Sequence, residues 1–88
     1  MKIKKGFVVR KVGDGFVVVP VGAMSKNFHG MINLNSTGNF LWNFYTEEHS
    51  IDDGVAAIRA EYEIDEEIAR RDVERFAKFV LENEFAEN

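Results

Sequence analysis

The alternation of apolar and polar residues changes its period once along this chain. Phe7-Val8-Val9-Arg10-Lys11-Val12 and Phe16-Val17-Val18-Val19 are short runs of β-branched and aromatic residues, the composition that suits a pleated, half-buried strand. Between them, Gly13-Asp14-Gly15 contains the Asp-Gly dipeptide, which favours a tight hairpin turn because glycine takes φ > 0 without steric cost. Pro20 has no N–H to give to a ladder and so marks the end of the second strand. Val21 to Phe28, with Gly22, Ser25 and Asn27, reads as a loop. His29-Gly30-Met31-Ile32-Asn33-Leu34 reads as a third strand, with Gly30 marking a bulge or a close backbone approach.

From Asn35 onward the period becomes helical. Asn35-Ser36-Thr37 is a cluster of N-cap residues. Leu41, Phe44 and Tyr45, with Phe40 or Trp42 beside them, form an apolar stripe at helical spacing. Gly38 in this first helix costs about 1 kcal/mol relative to alanine, which implies a close neighbour. Ser50-Ile51-Asp52-Asp53 places an acid three residues after a capping serine, a short version of the capping box. Ile51, Val55, Ile58 and Tyr62 then define a second helix. Asp65 caps a third, from Glu66 to Glu82, with Glu66 and Glu67 suited to its N-terminal dipole. Its expected inner face is Ala69, Val73, Phe76, Ala77, Val80 and Leu81, and Phe79 widens the stripe.

The pattern predicts an α+β domain: a three-stranded antiparallel meander followed by three helices. At 88 residues the whole of 1–88 is one domain. A meander leaves two outer strands, and unless something covers them each presents a row of backbone N–H and C=O groups.

Composition narrows the function. Apolar residues make up 45% of the chain and aromatics 12%, enough for a packed core. Cysteine is absent, which excludes disulfides, thiolate metal sites and a Cys nucleophile. The absence of any long apolar run or signal-like start leads us to expect a cytoplasmic protein without membrane contact. The net charge of −4 is unfavourable for nucleic acid. That charge is uneven. Residues 1–45 carry six Lys/Arg against Asp14 alone, a balance of +5, whereas residues 46–88 carry five against fourteen acids, a balance of −9. Such an asymmetry can steer a charged partner, although two solvated faces also account for it.

Catalytic chemistry finds little footing. His29 and His49 are the only imidazoles and neither sits in a metal-ligand pattern. Ser25, Ser36 and Ser50 lack a nucleophile-elbow setting. Asp52 and Asp53 are explained by capping, and Gly13-Asp14-Gly15 does not open a helix as a dinucleotide loop would. No catalytic residue, metal site or cofactor is expected. Two binding roles compete with each other. One is a DNA-binding helix, weakened by the acids that interleave Arg70, Arg71, Arg75 and Lys78. The other is a homodimer through free edges or through Trp42, Phe40 and Phe85.

The block Asn33-Leu34-Asn35-Ser36-Thr37-Gly38-Asn39-Phe40-Leu41-Trp42 is similar to the LN-x-T-G-x-x-(L/I)-W segment of the PqqD family. Tyr62-Glu63-Ile64-Asp65 resembles that family's junction before its last helix. Asp72-Val73-Glu74-Arg75-Phe76 resembles its D-V-x-x-F stretch, and Leu81 to Phe85 its ending, with Phe85 where a Leu or Gly-Leu is usual. The resemblance spans nearly the whole chain. It implies a winged helix-turn-helix-like, non-catalytic domain of the kind called a RiPP recognition element. Such a domain binds the leader of a ribosomally made precursor peptide and presents it to a modifying enzyme, often a radical SAM protein, in natural-product pathways such as PQQ biosynthesis. It further implies that the leader adds as a strand beside the third strand, in a groove against the last helix. The expected peptide-binding residues are then His29, Gly30, Met31, Ile32, Asn33 and Leu34 on the strand, and Arg70, Arg71, Arg75 and Lys78 on the helix. A monomer or a weak homodimer is expected.

Overall fold

The computed structural model of the chain describes residues 1–22 and 32–87. It contains β1 (Phe7–Val12), β2 (Gly15–Pro20), β3 (Ile32–Leu34), α1 (Ser36–Phe44), α2 (Ile51–Glu61) and α3 (Glu66–Glu82). The sheet order is β1-β2-β3, antiparallel throughout. The meander and three helices expected from the pattern are both present. Of the expected third strand, Ile32 to Leu34 is β structure, and His29, Gly30 and Met31 lie outside the described residues.

The hairpin turn differs in detail from the expectation. Its central residues are Gly13 and Asp14, because Val12 pairs with Gly15. Gly13 has φ 60, as the first central residue of a type II′ turn requires. The glycine that matters therefore precedes the aspartate.

The helix starts follow their capping chemistry. The Asn35 side chain accepts a hydrogen bond from the Gly38 N–H at 2.7 Å. Ser50 and Asp53 form a reciprocal capping box, with bonds of 3.0 and 3.1 Å. The Ser50 N–H holds the Asp53 carboxyl below its ordinary value of 3.8. Asp65 occupies the N-cap position of α3, but its side chain makes no capping bond.

Alternation along the strands gives the sheet two faces. Phe7, Val9, Phe16, Val18, Ile32 and Leu34 point to the helices and join or pack against the core. Leu41, Trp42, Tyr45, Val55, Ile58, Val73, Phe76 and Val80 meet them from the helical side. Each fully buried side chain of this size contributes about 1.5–3 kcal/mol. Trp42 and Phe85 are 2% and 0% exposed, so they are core residues and not a docking patch. Phe40 is half-buried against Tyr62, with ring centroids 6.0 Å apart. Leu81 departs from its expected inner position and is 57% exposed. It sits one residue past Val80, and 100° of helical rotation carries it off the narrow buried stripe.

The C-terminal tail closes the fold away from β3. The Phe85 N–H bonds Val80 O at 2.9 Å and the Glu84 N–H bonds Leu81 O at 3.1 Å, the paired bonds of a Schellman motif. Glu84 accordingly has φ 58. Phe85 then inserts between Phe7, Trp42 and Phe79, at 4.7, 5.4 and 5.8 Å. Ala86 bridges to Ile3, and Lys4 N–H donates to Phe85 O at 2.7 Å. Among the described residues, the tail thus pairs with the N-terminal segment and not with β3.

Candidate functional site

The short strand β3 has one neighbour, β2, and no described strand lies on its other side. Which of its backbone groups face that open edge follows from the ladder. Val21 N–H donates to Gly6 O at 2.8 Å, in the register that continues Phe7 opposite Pro20. Hydrogen-bonded pairs alternate with non-hydrogen-bonded ones in an antiparallel ladder. Val8–Val19, Arg10–Val17 and Val12–Gly15 are therefore bonded pairs, the last also being what a two-residue turn demands. Phe16 and Val18 consequently turn their N–H and C=O groups toward β3, where they meet Leu34 and Ile32. Asn33, between them, directs its N–H and C=O to the open edge.

Beside that edge lies a groove of about 340 Å³, lined by Asn33, Leu34, Asn35, Thr37, Gly38 and Leu41 on one side and Asp72, Arg75, Phe76 and Phe79 on the other. The strand and the start of α1 supply the first wall, and α3 supplies the second. Positions 72, 75, 76 and 79 recur at three- and four-residue steps, so they share one side of α3. Gly38 lets α1 approach the strand. A Cβ there would stand 3.2 Å from Asn35 Oδ1 and 3.3 Å from Leu34 Cδ2, which explains a glycine in a helix. Phe79 is half-buried and is held by Phe76 at 6.2 Å and by Phe85. The floor is thus apolar, while the rim has amides, a hydroxyl, one acid and one base.

Of the residues expected at the site, Asn33, Leu34 and Arg75 line this groove. Ile32 packs toward the core beside it. His29, Gly30 and Met31 lie outside the described residues. The other three basic residues of α3 do not line the groove. Arg70 is turned to α2, where its guanidinium bonds Asp52 at 2.9 Å and reaches Glu66 at 3.6 Å. Its hydrogen bond to Asp52 raises its pKa further. Arg71 is exposed and, with Glu67, Ile68, Arg70 and Glu74, lines a separate depression of about 370 Å³, and Lys78 is exposed. Neither Arg71 nor Lys78 forms an ion pair with a described residue.

Sequence reasoning missed Asp72, Phe79, Thr37 and Leu41 as groove residues, having assigned them to motif, core or cap. Helical spacing carried the signal: Asp72 and Phe79 lie three and four residues from Arg75. A second missed feature supports the groove from behind. Tyr45, at the end of α1, is 0% exposed and donates its hydroxyl to Ser50 O at 2.8 Å. Burial, with the nearby Asp53 charge, pushes its pKa up to about 12.

Comparison with known proteins adds two findings. The family model described as Coenzyme PQQ synthesis protein D (PqqD) matches residues 15–85. A solved structure described as TbiB1 in complex with the TbiA(beta) leader peptide superposes with a TM-score of 0.76, at 25% sequence identity, over 100% of this chain and 96% of that one. No curated protein sequence matches the chain.

Proposed function

Because the chain belongs to the PqqD family, we propose that it is a non-catalytic module that captures the leader of a ribosomally made precursor peptide and presents it to a modifying enzyme of the radical SAM type. The observation that carries this reading is the outward-facing backbone of Asn33 beside an apolar groove. A guest strand pairs there by β-augmentation, where main-chain bonds give affinity and alternate side chains give specificity. The guest residue opposite Asn33 exchanges N–H and C=O bonds with it. Its two neighbours then point toward α3, and the one opposite Leu34 enters the groove over Phe76 and Phe79. A large apolar residue fits that position. The neighbour solved with a leader peptide supports the same assignment. Duplex DNA is disfavoured because Arg70 is already neutralised by Asp52 and Glu66, leaving few α3 cations for phosphates.

The test is a pair of proline variants, titrated with overlapping synthetic peptides that tile each short open reading frame found in the neighbourhood of this gene. Asn33→Pro removes an N–H that the ladder does not use, so the fold stays intact and binding is lost. Ile32→Pro removes an N–H directed at Val18 and destabilises the domain itself. Amide shift changes centred on Asn33 are expected for the unmodified protein. Unchanged binding by Asn33→Pro, or shifts confined to the first hairpin, would overturn the proposal.

A further inference from the structure

Asp72 lines the groove between β3 and α3 and is half-buried there. It makes no ion pair and no side-chain hydrogen bond with a described residue. It also lies well past the first turn of α3, where an acid would complement the helix dipole. The cations of its own helix are otherwise placed. Arg70 is drawn to Asp52 and Glu66, at 2.9 and 3.6 Å. Arg71 is one residue away, and about 100° of helical rotation turns it toward the separate depression beside Glu67 and Glu74. Arg75 shares the groove but is exposed and stays outside ion-pair distance of Asp72. The fold therefore neither pairs this carboxylate nor leaves it fully in open water.

The groove around it limits what it can take. Leu41, Phe76 and Phe79 make the floor apolar. Phe76 follows Asp72 by four residues, about 6 Å along the helix axis at ~1.5 Å per residue. Side chains on one side of an extended guest recur every second residue, about 6.6–6.8 Å apart. A guest whose large apolar residue sits over Phe76 and Phe79 thus brings its next side chain on that side to Asp72. Lysine or arginine fits this position, because its methylene stem lies along apolar surface while its cation reaches the polar rim. The guest strand itself covers the contact, so the charge-assisted bond is screened less than a pair on an open surface. Exposed Arg75 keeps its water and gains little from a partner, whereas covering an unpaired carboxylate is costly. Asp72 therefore sets the charge preference. We propose that Asp72 is a specificity-determining residue, selecting leaders with a lysine or arginine two positions from the apolar anchor. This rests on the leader-binding reading and adds to it a charge requirement at one position.

The probe is the synthetic peptide tile that binds the unmodified protein and loses binding to Asn33→Pro, followed by fluorescence anisotropy. Each lysine and arginine of that peptide is replaced in turn by glutamate. One replacement, two positions from a large apolar residue, should weaken binding about tenfold or more. Asp72→Lys should lose a similar factor against the unchanged peptide and regain it against the glutamate-bearing one. A merely structural role would not produce that exchange of preference. Asp72→Asn, which keeps the size and removes the charge, should narrow the preference for lysine over glutamate at an unchanged thermal midpoint, and it decides the matter if Asp72→Lys does not fold. The inference is overturned by a binding tile without lysine or arginine, or by equal losses from the glutamate peptide in the unmodified protein and in Asp72→Lys. It is also overturned if Arg75→Glu loses binding that a lysine in place of an acidic peptide residue restores. In each of these outcomes leader capture at Asn33 still stands. If no tile binds the unmodified protein, the leader-binding reading fails first and this inference fails with it.

Discussion

Gly54→Ala sets two opposed effects against each other inside α2. Alanine is favoured over glycine in a helix interior by about 1 kcal/mol, so an isolated α2 gains. In the folded domain, however, an added Cβ would stand 2.1 Å from Tyr45 Oη, 2.9 Å from Tyr45 Cζ and 3.1 Å from Val73 Cγ1. Favourable carbon contacts begin near 3.5 Å, so the phenol must withdraw by about 1 Å or more. It has little room to do so. Phe44 and Phe76 hold the Tyr45 ring at 5.1 and 6.1 Å, and its hydroxyl is committed to Ser50 O. Overpacking costs about 1–3 kcal/mol, and stranding the buried hydroxyl costs about 1–3 kcal/mol more. After the helix gain, the net destabilisation is about 1–5 kcal/mol, centred near 3. Urea unfolding followed by the fluorescence of buried Trp42 reads this directly. The midpoint should fall by about 1–2 M for a small domain. Tyr45→Phe in the same background should recover part of the loss, since it removes the closest atom. A Gly54→Ala protein as stable as its parent would show that helix propensity decides here, and would refute the claim that the Tyr45–Gly54 contact fixes α1 against α2.

Glu84→Gly relieves a side chain at φ 58 in the Schellman position that glycine prefers; a gain of about 1 kcal/mol and a rise of roughly 4–8 °C in thermal midpoint are expected by calorimetry. Tyr45 stays neutral in the fold up to about pH 12, whereas an unfolded tyrosine ionises near its ordinary value of 10.0. Its stabilising contribution is therefore complete below pH 10 and is lost as pH rises from 10 to 12, and Tyr45→Phe should flatten that limb of a denaturation-against-pH curve. Phe79→Ala opens the α3 wall of the groove and removes a neighbour of Phe85. Leader affinity measured by anisotropy should fall about tenfold or more, against a stability loss of about 2 kcal/mol, less than for a fully buried phenylalanine.

The elements were legible because each is specified by chemistry within a few residues. β-Branched runs, Pro20, the Ser50–Asp53 capping box and the Asn35 cap all act locally, and the element order followed from them. The groove was only half legible. Among the four α3 cations, period alone could not separate Arg75, which lines the groove, from Arg70, which is drawn across to Asp52 on α2. Helical spacing sets which residues share a side of α3, but packing against α2 and the sheet decides where each side points. The same holds for Leu81, one residue beyond the buried stripe, and for Gly54, whose reason is a tyrosine nine positions earlier in the chain. The outward backbone of Asn33 is the clearest case. Its direction is transmitted from β1 through the bonding phase of β2, and a hydrogen-bond phase exists only once the strands have paired.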